Sequence, residues 1–325
     1  MAASRFRRTL RGARAARALG PASTKSLRFL LPLLALASLA WARDRATFIR
    51  PIQQTIPAAG LTQVVIQNLV GPVTIQTAPG DQVQLTVLIH AGGADATFAR
   101  TLAQQLDFQV QTIAGQLRII GVYPLDHFRD YGYPNMKSVM GIHGTDSNLY
   151  DGKKVFIRHL GSNKAVELWA EVRLTLPASL AVVVRNTYGD VELRGAAGAA
   201  APLATAGSFD GFTDVGDFTI YRPEWAQMKL QSDYGKVEFT DGFGTASDIH
   251  VSTDVGGAYL NLPPGVNCRI VAHKDLGFLH NDLSDAKFTK NNDGDSVLQL
   301  GSGGPVIHID MSLGSLHLKA VGSSE

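Results

Sequence analysis

The sequence predicts an all-β protein, a stacked single-domain β-solenoid with one short helix and a long irregular insertion. Three observations predict it. A ten-residue phrase is written twice, as LQSDYGKVEF (Leu230 to Phe239) and VSTDVGGAYL (Val251 to Leu260), with Asp two places before Gly in both. The anchoring glycine recurs at Gly189, Gly216, Gly235, Gly256, Gly277 and Gly314, with Gly71 as an earlier copy, and the steps from 216 to 277 are 19, 21 and 21 residues. Finally, 33 glycines and only 18% charged residues suit many short strands joined by tight turns. A fixed period of about twenty residues with two strands per unit means a stack, because one unit cannot bury its apolar residues alone. Units about 4.8 Å apart can, since their strands pair along the axis.

In chain order, Val64 to Ala91 holds three strands, broken at Asn68–Gly71 and at the Pro79-Gly80-Asp81 turn. A helix follows over DATFARTLAQQLDF, with Phe98, Leu102 and Leu106 as its apolar stripe and Asp95 as N-cap. The segment FQVQTIAGQLRIIGV reads as a hairpin turning at Ala114-Gly115. Residues 123–165 lack both the strand and the helix period. Strand returns at VELWAEVRLTLP, where Val166, Leu168, Ala170, Val172, Leu174 and Leu176 alternate with polar or large residues, so one face is buried.

Within each copy of the phrase, the residue five before Gly and those two and four after it are expected to fill the interior. Val184, Leu230, Val251 and Ile309 hold the first place, with pairs such as Val237 and Phe239 or Leu316 and Leu318 behind the Gly. Gly is expected at a corner where positive φ disfavours any side chain. Two before Gly stand Asp214, Asp233, Asp254 and Asp275, with Thr187 and Ser312 in the outer copies. Short side-chain oxygens of this kind bond to the backbone in turns, so the main reading is corner chemistry. A second reading is a calcium ladder on Asp233, Asp254 and Asp275, in a calcium-dependent polysaccharide-binding or polysaccharide-cleaving protein, because stacked carboxylates repel unless bridged.

The first 42 residues carry eight Lys and Arg and no acid, and end in the apolar run FLLPLLALASLAWA. A basic stretch, a short apolar stretch and a small-x-small end predict an export signal cleaved after Ala42. A retained anchor, a mitochondrial transit peptide and a twin-arginine signal at Arg7-Arg8 stay open. Without those residues the count is 22 basic against 28 acidic, a net −6. That excludes the basic footprint of nucleic-acid binding. A lone Cys268 allows no internal disulfide, so stability rests on burial.

The expected division is 1–42 signal, 43–122 N-terminal β part, 123–165 insertion and 166–325 repeats. The segments VVIQNLVGPVTI, TLPASLAVVVRNTYGDVEL, KLQSDYGKVEF and HVSTDVGGAYL resemble the bacterial "putative adhesin" family of secreted β-solenoid domains, of the head-GIN and auto-transporter-adhesin-like type. The resemblance covers about 62–320 apart from the insertion. It implies the fold and a periplasmic or cell-surface location, and brings no catalytic residues.

No motif supports catalysis. GSFDG and GSGG are not nucleophile elbows, DGKKV lacks P-loop spacing, and NNDGDS lacks the glutamate of a calcium loop. No pair among the strand histidines His250, His273, His280, His308 and His317 has a spacing that fixes a metal. The insertion holds four of the eight tyrosines and three of the nine histidines. It reads as a cap on the stack, a recognition loop or a disordered segment, and as a recognition loop its contacts would be Tyr131, Tyr133 and His127. The expectation is an exported, non-catalytic cell-envelope binding or scaffold protein. Its partner would be a surface protein or glycan, with no cofactor and no catalytic residue.

Overall fold

The structure, a computed structural model, describes residues 45–136, 146–196, 207–244, 246–284, 286–291 and 295–321. The expected export signal and His143 of the insertion lie outside them. The N-terminal part forms β1 (Ala46–Pro57), β2 (Gln63–Val70), β3 (Val73–Thr77), β4 (Gln82–Gly93), helix α1 (Ala96–Gln105), β5 (Asp107–Ile113) and β6 (Gln116–Val122). The insertion forms β7 (Asp130–Tyr133), β8 (Asp146–Tyr150) and β9 (Lys153–His159). The remainder begins with β10 (Glu167–Leu176), β11 (Ala181–Tyr188), β12 (Val191–Arg194), β13 (Ser208–Val215), β14 (Phe218–Tyr221) and β15 (Gln227–Thr240). It ends with β16 (Asp248–Leu262), β17 (Cys268–Leu276), β18 (Leu279–Asn281), β19 (Lys287–Lys290), β20 (Ser296–Leu300) and β21 (Val306–Ala320). The protein is all-β apart from α1.

Local signals place these elements. Asp95 caps α1, its Oδ1 accepting from the Phe98 amide at 2.8 Å. The buried face of α1 is Ala99, Leu102 and Ala103, whereas the expected Phe98 is largely exposed. A stripe at every fourth residue drifts around a 3.6-residue helix, and the smaller alanines let α1 lie closer to the sheet. Ala114 and Gly115 both take positive φ, 50° and 78°, the backbone a two-residue hairpin requires between β5 and β6.

One 18-stranded sheet holds the repeats. Before the corner glycine the parallel order is β6, β2, β11, β13, β15, β16, β21, β17. After the corner it is β10, β3, β12, β14, β15, β16, β21, β18. The register sets corner on corner, with Gly235 opposite Gly256 and Gly256 opposite Gly314. The expected interior residues are buried, among them Val184, Leu230, Val251, Ile309, Val237, Phe239, Leu316 and Leu318. Each such side chain contributes about 1.5–3 kcal/mol.

The order of units differs from coil after coil at both ends. The last strand, β21, enters between β16 and β17, so the unit of Gly314 lies inside the unit of Gly277. The 36 residues between those glycines are therefore not a degenerate repeat. They run through β18, β19 and β20, where β20 pairs antiparallel with β17 and β19 with β20. At the other end β2 is flanked by β6 and β11. Period alone could not show this, because interleaving leaves the spacing of the motif's residues unchanged.

The insertion is ordered where it is described. Strand β9 pairs parallel with β7 and antiparallel with β8 in a separate three-stranded sheet. Among the described residues no helix is long and apolar enough to cross a membrane.

Candidate functional site

The corner that generates the repeat is built by three columns of residues. At the glycine, a Cβ would lie 2.3 Å from the neighbouring carbonyl oxygen at Gly189, 2.1 Å at Gly216, 1.7 Å at Gly256 and 1.5 Å at Gly277. Gly71 and Gly189 do take positive φ, 121° and 134°. Gly216 and Gly314 do not, yet are equally crowded. Close stacking of backbone on backbone, more than φ, is what demands glycine here.

Three residues before Gly stands an interior polar column: Asn68, Asn186, Thr213, Ser232 and Thr253, all buried. Asn186 donates from Nδ2 to the carbonyls of Gly189 at 2.8 Å and Gly71 at 3.1 Å. Ser232 Oγ donates to the Gly216 carbonyl at 2.9 Å. One residue after Gly, Asp190 Oδ1 accepts from the Asp217 amide and Asp217 Oδ1 from the Lys236 amide, both at 2.9 Å. A buried polar group left unpaired costs about 1–3 kcal/mol, so the bonds of Asn68, Asn186, Thr213 and Ser232 are what allow a polar corner inside an apolar stack, whereas Thr253 Oγ1 finds no partner. Sequence reasoning assigned this work to the residue two before Gly. The run of small polar residues three before Gly was the signal that could have found it.

The carboxylates two before Gly point to the outer side of the corner. Register places Ser312 between Asp254 and Asp275, because Met311 and Leu313 pair with Thr253 and Val255 on one side and with Lys274 and Leu276 on the other. The expected calcium set Asp233, Asp254 and Asp275 is thus not three successive rungs. The contiguous run is Asp214, Asp233, Asp254. Burial, and then the charge of Asp233, pushes the Asp214 carboxyl up to about 7. Burial, and then Asp254, raises Asp233.

The insertion's tyrosines turn inward. Tyr131 is 0% and Tyr133 3% exposed. Tyr133 meets Trp169 and Tyr188 edge-on, with ring centroids 5.5 and 5.8 Å away. Tyr123 donates from its hydroxyl to Asn68 Oδ1 at 2.8 Å, and Tyr150 to the Gly121 carbonyl at 2.6 Å. Desolvation raises the hydroxyl of Tyr133 to about 12 and that of Tyr131 further. Neither ring offers a partner any surface, which corrects the expectation that they are contacts. The apolar body of Tyr133 is worth more against Trp169 and Tyr188, and that of Tyr131 against Tyr123, than in water. His127 is exposed.

Apolar surface lies at the other end of the corner. One residue before Gly, Tyr188 and Val215 are buried, while Tyr234, Leu313 and Leu276 in the later units are open to solvent. Leu276 is 66% and Phe278, just past Gly277, 70% exposed. Phe278 approaches His280, with ring centroids 6.3 Å apart. His280 stacks on His317 at 4.6 Å and His317 on Tyr259 at 4.5 Å. The Lys236 ammonium lies 5.6 Å above the Tyr259 ring. Burial, and then His280, holds His317 below the usual imidazole range. The result is an exposed apolar ridge beside a ladder of rings on the outer face. Cys268 is buried and its thiol is pushed up to about 12 by desolvation, which removes it as a nucleophile at neutral pH.

No protein-family model and no curated protein matches the chain. Among solved structures, the chain is similar to a "putative cell adhesion protein" from Clostridium sporogenes, at 11% identity and TM-score 0.40, covering 84% of this chain and 100% of that one. A "putative adhesin" from Bacteroides fragilis has 10% identity and TM-score 0.31, over 84% and 97%. A "putative lipid binding protein" from Parabacteroides distasonis has 10% identity and TM-score 0.25, over the same shares. Likeness at these scores assigns no function, which rests instead on the residues themselves.

Proposed function

We propose that the chain is an exported, non-catalytic binding module of the adhesin-like type, whose contact surface is the outer corner of the later units. The observation that carries this is the ridge of Leu313, Leu276 and Phe278 beside the ring ladder of Tyr259, His317 and His280. In the earlier units the same column is covered, Tyr188 lying under Tyr133 of the insertion. In the later units it faces solvent, and contiguous apolar and aromatic surface of this kind marks interaction sites. The basic and apolar N-terminal sequence supports export. The buried Cys268 thiol and the interrupted Asp column favour binding over catalysis.

The test is a double variant, Leu276→Ser with Phe278→Ser, sedimented with envelope fractions beside the unaltered protein. Both positions are exposed, so the melt is expected to move little. Capture by the unaltered protein and loss in the variant is the expected result. Equal capture by both proteins, or capture by neither, rejects this surface as the binding site.

A further inference from the structure

We infer that Asp248, His250 and His308 form a binding site for a divalent first-row transition metal, with zinc as the working ion. His308 is distant from the other two in the chain, yet the fold gathers all three. His250 and His308 are direct register partners on the parallel strands β16 and β21, so their side chains leave the sheet side by side. Their rings stack at 4.7 Å, inclined by only 8°. Asp248 is two residues before His250 on the same strand and therefore on the same outward face. Asp248 Oδ1 already lies 3.2 Å from His250 Nε2. One ligand atom from each of the three falls within 4.8 Å of the others.

Zinc takes nitrogen and carboxylate oxygen at about 2.0–2.2 Å in a tetrahedron, which places its ligand atoms roughly 3.4 Å apart. Closing the present separations takes about an ångström, and the two rings must also turn out of their parallel stack so that the metal lies in the plane of each; none of the three is buried, so rotamer changes allow both. Two imidazoles and one carboxylate favour zinc, copper or nickel over calcium and magnesium, which prefer all-oxygen sites. Three protein ligands leave the fourth position to water or to a group from a partner. On the rung beside His250 the register partner is Lys229, and beyond His308 it is Val271, so neither neighbouring strand supplies a ligand there and the carboxylate within reach is Asp248, along the strand.

The site has a structural consequence. Strand β21 is the one inserted out of sequence order between β16 and β17, and a metal on His250 and His308 would bridge β16 to it. Metal binding to the folded state alone then raises the melting temperature as free metal increases.

The test uses the purified full chain, stripped with chelator and titrated with zinc chloride, with cobalt(II) as a spectroscopic probe. The expected result is one equivalent bound, a tetrahedral cobalt absorption band and a higher melting temperature. His250→Ala with His308→Ala abolishes all three, and Asp248→Asn, which removes the anionic ligand, weakens binding by at least the roughly 10- to 100-fold that loss of an outer-shell partner costs. His280→Ala, altering a histidine of the separate ring ladder, leaves binding unchanged. The melt without metal checks that each variant folds, and His308→Gln replaces the double variant if it does not. Absence of a bound equivalent, retention of binding without both histidines, or equal loss in His280→Ala overturns the site.

Discussion

Alanine has no room at Gly314. Its Cβ would lie 1.7 Å from the Gly256 carbonyl oxygen, a backbone atom that cannot swing aside. Gly303 makes the useful contrast, with φ of 123° and nothing within 4 Å of the place a Cβ would take. Positive φ costs a non-glycine residue about 1–2 kcal/mol, while overpacking costs about 1–3 kcal/mol and more where, as here, the obstacle is backbone that cannot yield. Urea melts should therefore rank Gly314→Ala as the more damaging change. The reverse order would return the corner to a φ argument. Asp214 makes a second prediction at this scale. Its carboxyl rises from an ordinary 3.8 to about 7 on folding, by burial first and then by Asp233. Between those values the folded state binds more protons than the unfolded state, so this residue's contribution falls as pH rises from about 4 to 7. Subtracting the melting curve of Asp214→Asn from that of the unaltered protein should give a difference that grows against the unaltered protein across that window and is level above it. A difference that is constant with pH would show that Asp214 titrates normally.

At the scale of elements, strands and their faces were legible in the sequence, because alternation reports burial directly. From Leu168 onward β10 follows the period-two pattern, as do the interior positions around Gly235 and Gly256, while Glu167 at its start is buried and Val166 just before it half-buried. The place of β21 was not legible, since pairing between strands so distant in the chain leaves no local mark. Nor was the role of the insertion, whose tyrosines look like a recognition surface until their partners are known. Tyr131 and Tyr133 are amphipathic rings in an irregular stretch. Tyr133 is turned inward by Trp169 and Tyr188, supplied by β10 and β11, and Tyr131 packs edge-on against Tyr123. The insertion is tied to the polar corner through Tyr123, whose hydroxyl donates to Asn68 Oδ1 and accepts from the Val70 amide at 3.2 Å. Tyr123→Phe should cost about 1–3 kcal/mol in chemical denaturation, because both groups stay buried without that partner. An unchanged midpoint would mean the insertion is not anchored there.

Across the whole molecule, one architecture accounts for both a covered corner and an open one. Glycines permit the corner, Asn186 and Ser232 of the polar column bond its carbonyls, and the same outer column is covered by the insertion at Tyr188 and exposed late. The proposed contact surface therefore lies on the later units, around the exposed Leu276, Leu313 and Phe278. A photo-cross-linking phenylalanine at Phe278, and separately at His127, tests this most directly. His127 is the exposed member of the three insertion residues expected as contacts. Irradiation in the presence of envelope fractions should give a discrete adduct from position 278 and none from position 127. An adduct from position 127 with position 278 silent would contradict the account and return recognition to the insertion.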